Sequence, residues 1–285
     1  MTTDTGKPVW FITGCSTGFG RQLAQHTLSL GYPTVVTARN PGQIEDIVAG
    51  HEDLALVLRL DVTVPAQIEA AVAAAQARFG RIDVLVNNAG VGYFGSFEES
   101  DLDAVRSMLE INVWGLANMT RAVLPGMRQR RSGAVVNISS VGGVVAFPAL
   151  SFYNASKFAV EALSESLAQE VAPLGIKVLL VEPGPFRTDW AGRSADEAPR
   201  TIPDYDATAG ARMQMIRGYS GQQPGDPQRA AAAIVQTVES DDPPLRLLLG
   251  KMALEAAIAK LAAMKEDFDG WAAVSLAADY PETKS

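Results

Sequence analysis

Tyr153 and Lys157 stand four residues apart in a stretch of helical period, which puts both side chains on one face of a helix. A phenol titrates near ~10, and a neighbouring ammonium stabilises its phenolate, drawing the group toward the range where a general acid/base works. Such a pair can exchange a proton with the oxygen of an alcohol or a carbonyl. The spacing alone is weak, because Tyr280 and Lys284 repeat it beside Pro281. What separates the two pairs stands thirteen residues upstream: Ser140, closing an apolar run, before Tyr153, and Asp267 before Tyr280. Only the first pair receives a hydroxyl donor from a strand end, with Ser139 as the neighbouring alternative.

A second constellation opens the chain. The apolar run Val9 to Thr13 leads into Gly14-Cys15-Ser16-Thr17-Gly18-Phe19-Gly20 and then a helical pattern. Glycines so spaced allow a tight turn, let backbone N–H groups approach a pyrophosphate, and let the following helix pack closely with its positive end toward the anion. The segment is therefore read as a dinucleotide site built from Gly14, Ser16, Thr17, Gly18, Phe19 and Gly20. Gly90 to Gly95 fits the same glycine spacing without the strand, turn and helix around it, and is expected to be a loop at the mouth of the site. Cys15 needs only to be small. At the end of the second strand, where an NAD site usually carries an acidic residue, stand Arg39 and Asn40. An arginine fork there pairs with a 2′-phosphate, favouring NADP(H); a solvated surface arginine in an NAD enzyme is the alternative.

These residues need elements to position them. Short runs rich in β-branched residues alternate with helical stretches, the pattern of βαβ units around a parallel sheet buried on both faces. Strands are predicted at Val9–Thr13, Thr34–Ala38, Leu54–Leu60, Asp83–Asn87, Ala134–Ser139, Ile176–Glu182 and Leu245–Leu249. Together they predict an α/β, doubly wound Rossmann fold with seven parallel strands. Helices are expected at Pro65–Phe79 and Leu102–Met127. Phe19, Leu23, Thr27 and Leu30 would form one inward face, and Phe158, Ala162, Leu163, Ser166, Leu167 and Val171 another. Ligands in such sheets bind beyond the carboxyl ends of the strands. No linker divides the chain, so residues 1–285 are read as one domain. The unpatterned 186–225 segment is read as a substrate lid, with plain disorder the competing reading. Residues 251–285 form a C-terminal extension: an amphipathic helix Met252–Met264, then a tail holding Phe268 and Trp271.

Composition narrows the function. The 285 residues carry a net charge of −8, which argues against nucleic acid and against a polybasic membrane anchor. One cysteine and two histidines, His26 and His51, supply neither a disulfide framework nor a zinc site, so no metal is expected. The N-terminus lacks the apolar stretch of an export signal, and the charge-free run Ser132 to Ser156 holds too many polar residues for a bilayer span. A cytoplasmic protein is expected.

Taken together, the motifs resemble the short-chain dehydrogenase/reductase family in its compact branch. The likeness runs from about Val9 to Thr188 through Thr13–Gly20, Asp61-Val62, Asn87-Asn88-Ala89-Gly90, Asn112, Ser140, Tyr153, Lys157, and Pro183-Gly184 with Thr188. The resemblance implies Tyr153 as acid/base, Lys157 lowering its pKa and holding the nicotinamide ribose, Ser140 bonding the reacting oxygen, and Asn112 supporting a proton-relaying water. It also implies Asp61 and Val62 on the adenine, Asn88, Ala89 and Gly90 on the adenosine side, and Phe186 and Thr188 on the carboxamide. On the residues alone, Asp61 serves equally as a helix cap, and Asn112 as a locally bonded helix residue. A homodimer or homotetramer through helices 102–127 and 153–171 is a further implication.

Substrate walls are expected from Tyr93, Phe94, Phe147 and Trp190, with Phe152, Met213 and Met215, suiting a bulky apolar carbonyl compound or alcohol; the same residues could equally be core. Phe19 after Gly18, with a chain longer than minimal members, is loosely similar to the hydroxysteroid and retinol dehydrogenase side of the family. Arg193, Arg200, Arg212 and Arg217 could bind an acidic substrate or be solvated. The expected activity is an NADP(H)-dependent carbonyl reductase or alcohol dehydrogenase. An NAD-dependent alcohol dehydrogenase, a lyase or epimerase on the same scaffold, and a dinucleotide-binding scaffold without turnover are the alternatives.

Overall fold

The computed structural model describes residues 6–192 and 194–280, so Arg193, Pro281 and Lys284 lie outside the described residues. In chain order the elements are β1 (Trp10–Ile12), α1 (Gly18–Ser29), β2 (Thr34–Ala38), α2 (Glu45–Val48), β3 (Ala55–Arg59), α3 (Pro65–Phe79), β4 (Val84–Asn87) and β5 (Gly92–Phe94). They continue with α4 (Leu102–Leu109), a π segment (Glu110–Gly115), α5 (Leu116–Arg130), β6 (Gly133–Ile138), α6 (Ser151–Val171) and β7 (Ile176–Pro183). β8 (Ala195–Glu197), α7 (Ala211–Gly218), α8 (Pro227–Glu239), β9 (Arg246–Leu249) and α9 (Lys251–Leu276) complete the described chain.

Seven strands form one parallel sheet in the order β3-β2-β1-β4-β6-β7-β9, the Rossmann-type arrangement that the seven apolar runs predict. Alternation along β1 shows how both faces are filled: Trp10 and Ile12 pack with Leu23 and Leu28 of α1 and Ile234 of α8. Phe11 packs on the other face, with Ile68 and Val72 of α3 and Met119 and Val123 of α5. Strands covered on both sides must be apolar throughout, which is why they are readable as runs.

Several expectations change. The inward face of α6 carries Tyr153, Asn154, Lys157, Val160, Glu161 and Ser164, whereas Phe158 and Leu163 are each 43% exposed. Tyr153, Asn154 and Lys157 are buried against a cleft, so apolar period finds only part of the inward face: Val171 is buried and Leu167 packs on the core as expected. In α1, likewise, Leu23 and Thr27 are buried but Leu30 is exposed. The single helix expected over Leu102–Met127 is interrupted by the π segment, which contains Asn112. Gly92–Phe94 is a strand and not a loop; β5 pairs in parallel with β8, Gly92 opposite Ala195. The described part of the 186–225 segment is more than a bare loop, since it holds β8, α7 and a bridge from Phe186 to Gly225. α9 runs on through Phe268 and Trp271, both exposed, where a tail was expected.

No described helix is long and apolar enough to cross a membrane, and no cluster of His, Cys, Asp and Glu among the described residues could hold a metal ion.

Candidate active site

Beyond the carboxyl ends of β1, β2, β4, β6 and β7 lies one cleft of about 1510 Å³. Its lining brings together Gly14, Ser16, Thr17, Gly18, Phe19, Arg39, Asp61, Val62, Asn88, Ala89, Gly90, Ser140, Tyr153, Lys157, Pro183, Gly184, Phe186 and Thr188. Tyr93, Phe147 and Trp190 join that lining, whereas Gly20, Asn40, Phe94 and Asn112 do not.

The glycine loop sits tightly on the segment after β4. Gly14 has φ +70°, and a Cβ there would meet the Ala89 Cα at 2.9 Å; a Cβ at Gly20 would meet the Asn88 Nδ2 at 2.3 Å. Gly20 is thus needed for packing and not as a lining residue. The Asn88 amide donates to the carbonyls of Thr13 (2.9 Å) and Gly14 (2.8 Å), so it braces the loop where a ligand contact was expected. Thr17 makes no side-chain cap and no acidic residue stands in the first turn of α1. Free amide donors at a helix N-terminus beside positive-φ glycines suit a pyrophosphate. Arg39 is exposed at the rim and has no hydrogen bond or ion pair among the described residues. Asn40, by contrast, turns onto Gly42 N–H at 3.2 Å and caps a local turn. Arg21, which the sequence reading did not single out, also lines the cleft and is ion-paired to Asp46. Asp61 keeps Oδ1 on Thr63, accepting from N–H at 3.0 Å and from the hydroxyl at 2.7 Å, so its carboxylate serves the turn before α3. Val62 packs on Gly115, where a Cβ would approach it to 2.6 Å.

At the other end, Tyr153 and Lys157 occupy successive turns of α6, and Ser140 follows β6. Ser140 and Tyr153 both line the cleft, and Ser140 Oγ accepts from Gly142 N–H at 2.9 Å. Lys157 Nζ donates to the Ile138 carbonyl at 2.9 Å and lies 5.8 Å from the Tyr153 ring centre. Burial pushes the phenol up to about 12, with the Ser140 hydroxyl opposing it. Burial also brings the Lys157 ammonium down to about 8, opposed by the charge of Glu161. Enclosure disfavours the phenolate, so at Tyr153 burial outweighs what opposes it. Tyr153 therefore holds its proton at neutral pH.

Asn112 is 2% exposed and spends its amide on protein: Oδ1 accepts from Val91 N–H at 2.9 Å, while Nδ2 donates to the Val91 carbonyl (2.9 Å) and to Ser156 Oγ (3.1 Å). Phe94 is fully buried and packs edge-on to Trp190 at 5.2 Å, so it is core and not a wall. The ring of Trp190 lies 4.9 Å from that of Tyr153. Tyr93 accepts Asp101 N–H at 2.7 Å. Of the lid arginines, Arg200 pairs with Asp206 and Arg217 with Glu197 at 2.9 Å.

The sequence reading missed a buried acidic pair behind Lys157. Glu161 accepts from the Ser139 hydroxyl, and Arg246 Nε lies 3.3 Å from Glu161 and 3.4 Å from Glu182. Glu182 is raised to about 8 by burial and by the Glu161 charge. The available signals were Glu161 at i+4 from Lys157 and a lone carboxylate in the apolar run of β7. Cys15 is buried and raised to about 12, which suits a small filler and not a thiolate.

Comparisons with known proteins match this geometry. Residues 8–199 match the family model described as short chain dehydrogenase. An oxidoreductase named BOA17 from Botryotinia fuckeliana is 38% identical over 270 residues, covering 94% of this chain and 98% of the relative. Human retinol dehydrogenase 8 is 37% identical over 252 residues, 82% of this chain and 79% of its own. A crystal structure of a short-chain dehydrogenase from Streptomyces avermitilis, 44% identical, superposes with a TM-score of 0.89 over 95% of this chain and 100% of its own. ElxO with NADP bound (27% identity, TM-score 0.72, 87% and 99% of the chains) and a Burkholderia phymatum short chain dehydrogenase/reductase in complex with NAD (25%, 0.77, 98% and 98%) carry the two dinucleotides. With the family model spanning well over half the residues, this chain belongs to the short chain dehydrogenase family, as an oxidoreductase.

Proposed function

We propose that the protein interconverts a ketone or aldehyde and the corresponding alcohol, with NADP(H) as its preferred dinucleotide. One observation carries the reading: Ser140, Tyr153 and Lys157 close one end of a single cleft whose other end is the glycine loop and an unpaired Arg39. The chemistry that a dinucleotide would supply in that cleft is hydride transfer. The amides of Gly14 to Gly18 would hold the pyrophosphate, Arg39 the 2′-phosphate, and Phe186 and Thr188 the nicotinamide carboxamide. Ser140 hydrogen-bonds the substrate oxygen, and Tyr153 gives that oxygen a proton in reduction and takes it back in oxidation. Lys157 lends its charge from the next turn, while Asn112 holds the Val91 main chain in place.

Tyr93, Phe147, Leu150, Trp190 and Ile216 give the walls an apolar character that suits a bulky substrate, in keeping with a relative named retinol dehydrogenase 8. In this reading residues 1–285 act as one domain, with 186–225 as the lid and 251–285 as an extension, in a cytoplasmic protein. Exposed Trp114 (55%), Phe158 and Leu163 lie on the helices through which a homodimer or homotetramer would pair.

The test is a titration of NADPH and NADH, read by tryptophan fluorescence, on wild type and Arg39→Asp, followed by a ketone screen with Tyr153→Phe as control. Tighter NADPH binding that weakens at least about tenfold in the variant supports the reading. Equal or tighter NADH binding in wild type overturns the 2′-phosphate assignment. A ketone turned over unchanged by Tyr153→Phe overturns the acid/base role.

A further inference from the structure

Four arginines of the 186–225 segment were candidates for an acidic substrate, and the fold sorts those it describes. Arg200 is paired with Asp206. Arg217 is spent on Glu197 and on the carbonyls of Ala191, Gly192 and Ala195. Arg212, on the first turn of α7, is different. Its guanidinium lies 4.9 Å over the ring of Phe147, its closest donor contact is the Met215 sulfur at 3.7 Å, and its Nε is buried without a partner. No carboxylate among the described residues pairs with it, and it lines the cleft.

A half-buried guanidinium normally finds an acid, because stacking on an aromatic ring replaces only part of the hydration it gives up. The other cations among the described lining residues sit elsewhere: Lys157 behind Tyr153, Arg21 on Asp46, and Arg39 at the rim with the glycine loop. Among the described residues, Arg212 is the cation that lines the cleft with Phe147, Leu150, Met215 and Ile216. In such low-polarity surroundings an opposite charge is attracted more strongly than at the surface. The planar fork of donors matches a carboxylate in two parallel hydrogen bonds.

We propose that Arg212 is the recognition site for a carboxylate carried by the substrate, so that the enzyme acts on amphipathic oxo acids or hydroxy acids whose apolar body separates the carbonyl from the acid group. This rests on the reductase reading above and specifies its substrate class. Tyr153 and Ser140 engage the carbonyl, the aromatic walls cover the body, and Arg212 anchors the far end. The lid that carries Arg212 thereby senses whether the right substrate is present.

The experiment compares a homologous series of straight-chain keto acids with their uncharged methyl esters, using wild type, Arg212→Met and Arg212→Lys. Wild type is expected to favour the acid of best length over its ester by about tenfold or more in kcat/KM, mostly through KM. Arg212→Met is expected to bring that ratio toward one, and Arg212→Lys to restore part of it, since lysine keeps the charge but not the fork. Equal use of acid and ester by wild type, or an acid preference surviving in Arg212→Met, overturns the proposal. Binding is measured in parallel by thermal shift with acid, ester and the alkyl phosphate of matching length, so the charge preference is read even if no member of the series turns over. A phosphate binding more tightly than the acid overturns the carboxylate assignment. Weakened NADPH binding in Arg212→Met, with the acid-to-ester ratio intact, places Arg212 on the dinucleotide and overturns it too. Failure of the reductase reading shows up separately, as loss of dinucleotide binding in wild type.

Discussion

Asn112 grips the main chain of Val91 at both of its polar groups, accepting from the N–H and donating to the carbonyl, each at 2.9 Å. The grip comes from a π segment inside an otherwise α-helical run, a distortion that re-aims one side chain and recurs at functional sites. Val91 follows Gly90, whose added Cβ would lie 3.2 Å from Asn112 Oδ1 and 3.8 Å from Lys157 Nζ. The clasp therefore sets the cleft floor beside Lys157.

Asn112→Ala leaves the Val91 main-chain groups without their partners and is expected to cost about 3 kcal/mol, with a fall in kcat. Asn112→Asp keeps the acceptor and loses the donor, so it should lie between. Urea unfolding and steady-state kinetics check this; lost activity at unchanged stability would instead point to direct action on substrate or solvent.

Gly20→Ala places a methyl 2.3 Å from Asn88 Nδ2 and 2.5 Å from the Gly14 carbonyl. Both are held in place, so the loop must move. We expect a loss of about 1–3 kcal/mol and at least tenfold weaker dinucleotide binding, measured by thermal unfolding and NADPH titration. Near-normal affinity would mean that the loop tolerates displacement.

Lys157 sits at about 8 when folded against 10.5 for an ordinary lysine. Below pH 8 both folded and unfolded chains carry its proton, and the burden of burying the charge is complete. Between 8 and 10.5 the unfolded chain binds more protons, so stability rises with pH by up to the order of 3 kcal/mol. Lys157→Met should remove that rise and raise stability near neutrality while abolishing turnover. Denaturant midpoints at pH 7, 9 and 10 decide it, and a retained rise in the variant would exclude Lys157 as its source.

Glu182 has the opposite sign. Its folded value of about 8 stands above the usual 4.5, so the folded chain keeps a proton that the unfolded chain has released. Stability is then greatest below 4.5 and declines as pH rises to 8. Glu182→Gln should flatten that decline and gain at least about 1 kcal/mol at pH 8. An unchanged decline would assign it to Glu161, which faces the same Arg246.

The α/β alternation, the seven strands and the glycine loop were determined by sequence alone, because each depends on local chemistry. Parallel strands covered on both faces must be continuous apolar runs, and a phosphate loop needs its glycines within a few residues. Ser140, Tyr153 and Lys157 were likewise legible, since a strand end and one helix turn bring them together. The tertiary structure alone decided the rest. Asn112 meets Val91 across 21 residues, Asn88 meets Thr13 across 75, and Glu161 meets Ser139 across 22. Arg217 finds Glu197 and Arg200 finds Asp206, while Arg212 finds no carboxylate among the described residues. Residue type and period carry no record of which distant partner a polar side chain will meet. The inward face of α6 was read only in part, at Leu167 and Val171, for the same reason: Tyr153, Asn154 and Lys157 are buried by a cleft whose polar lining escapes a search for apolar period.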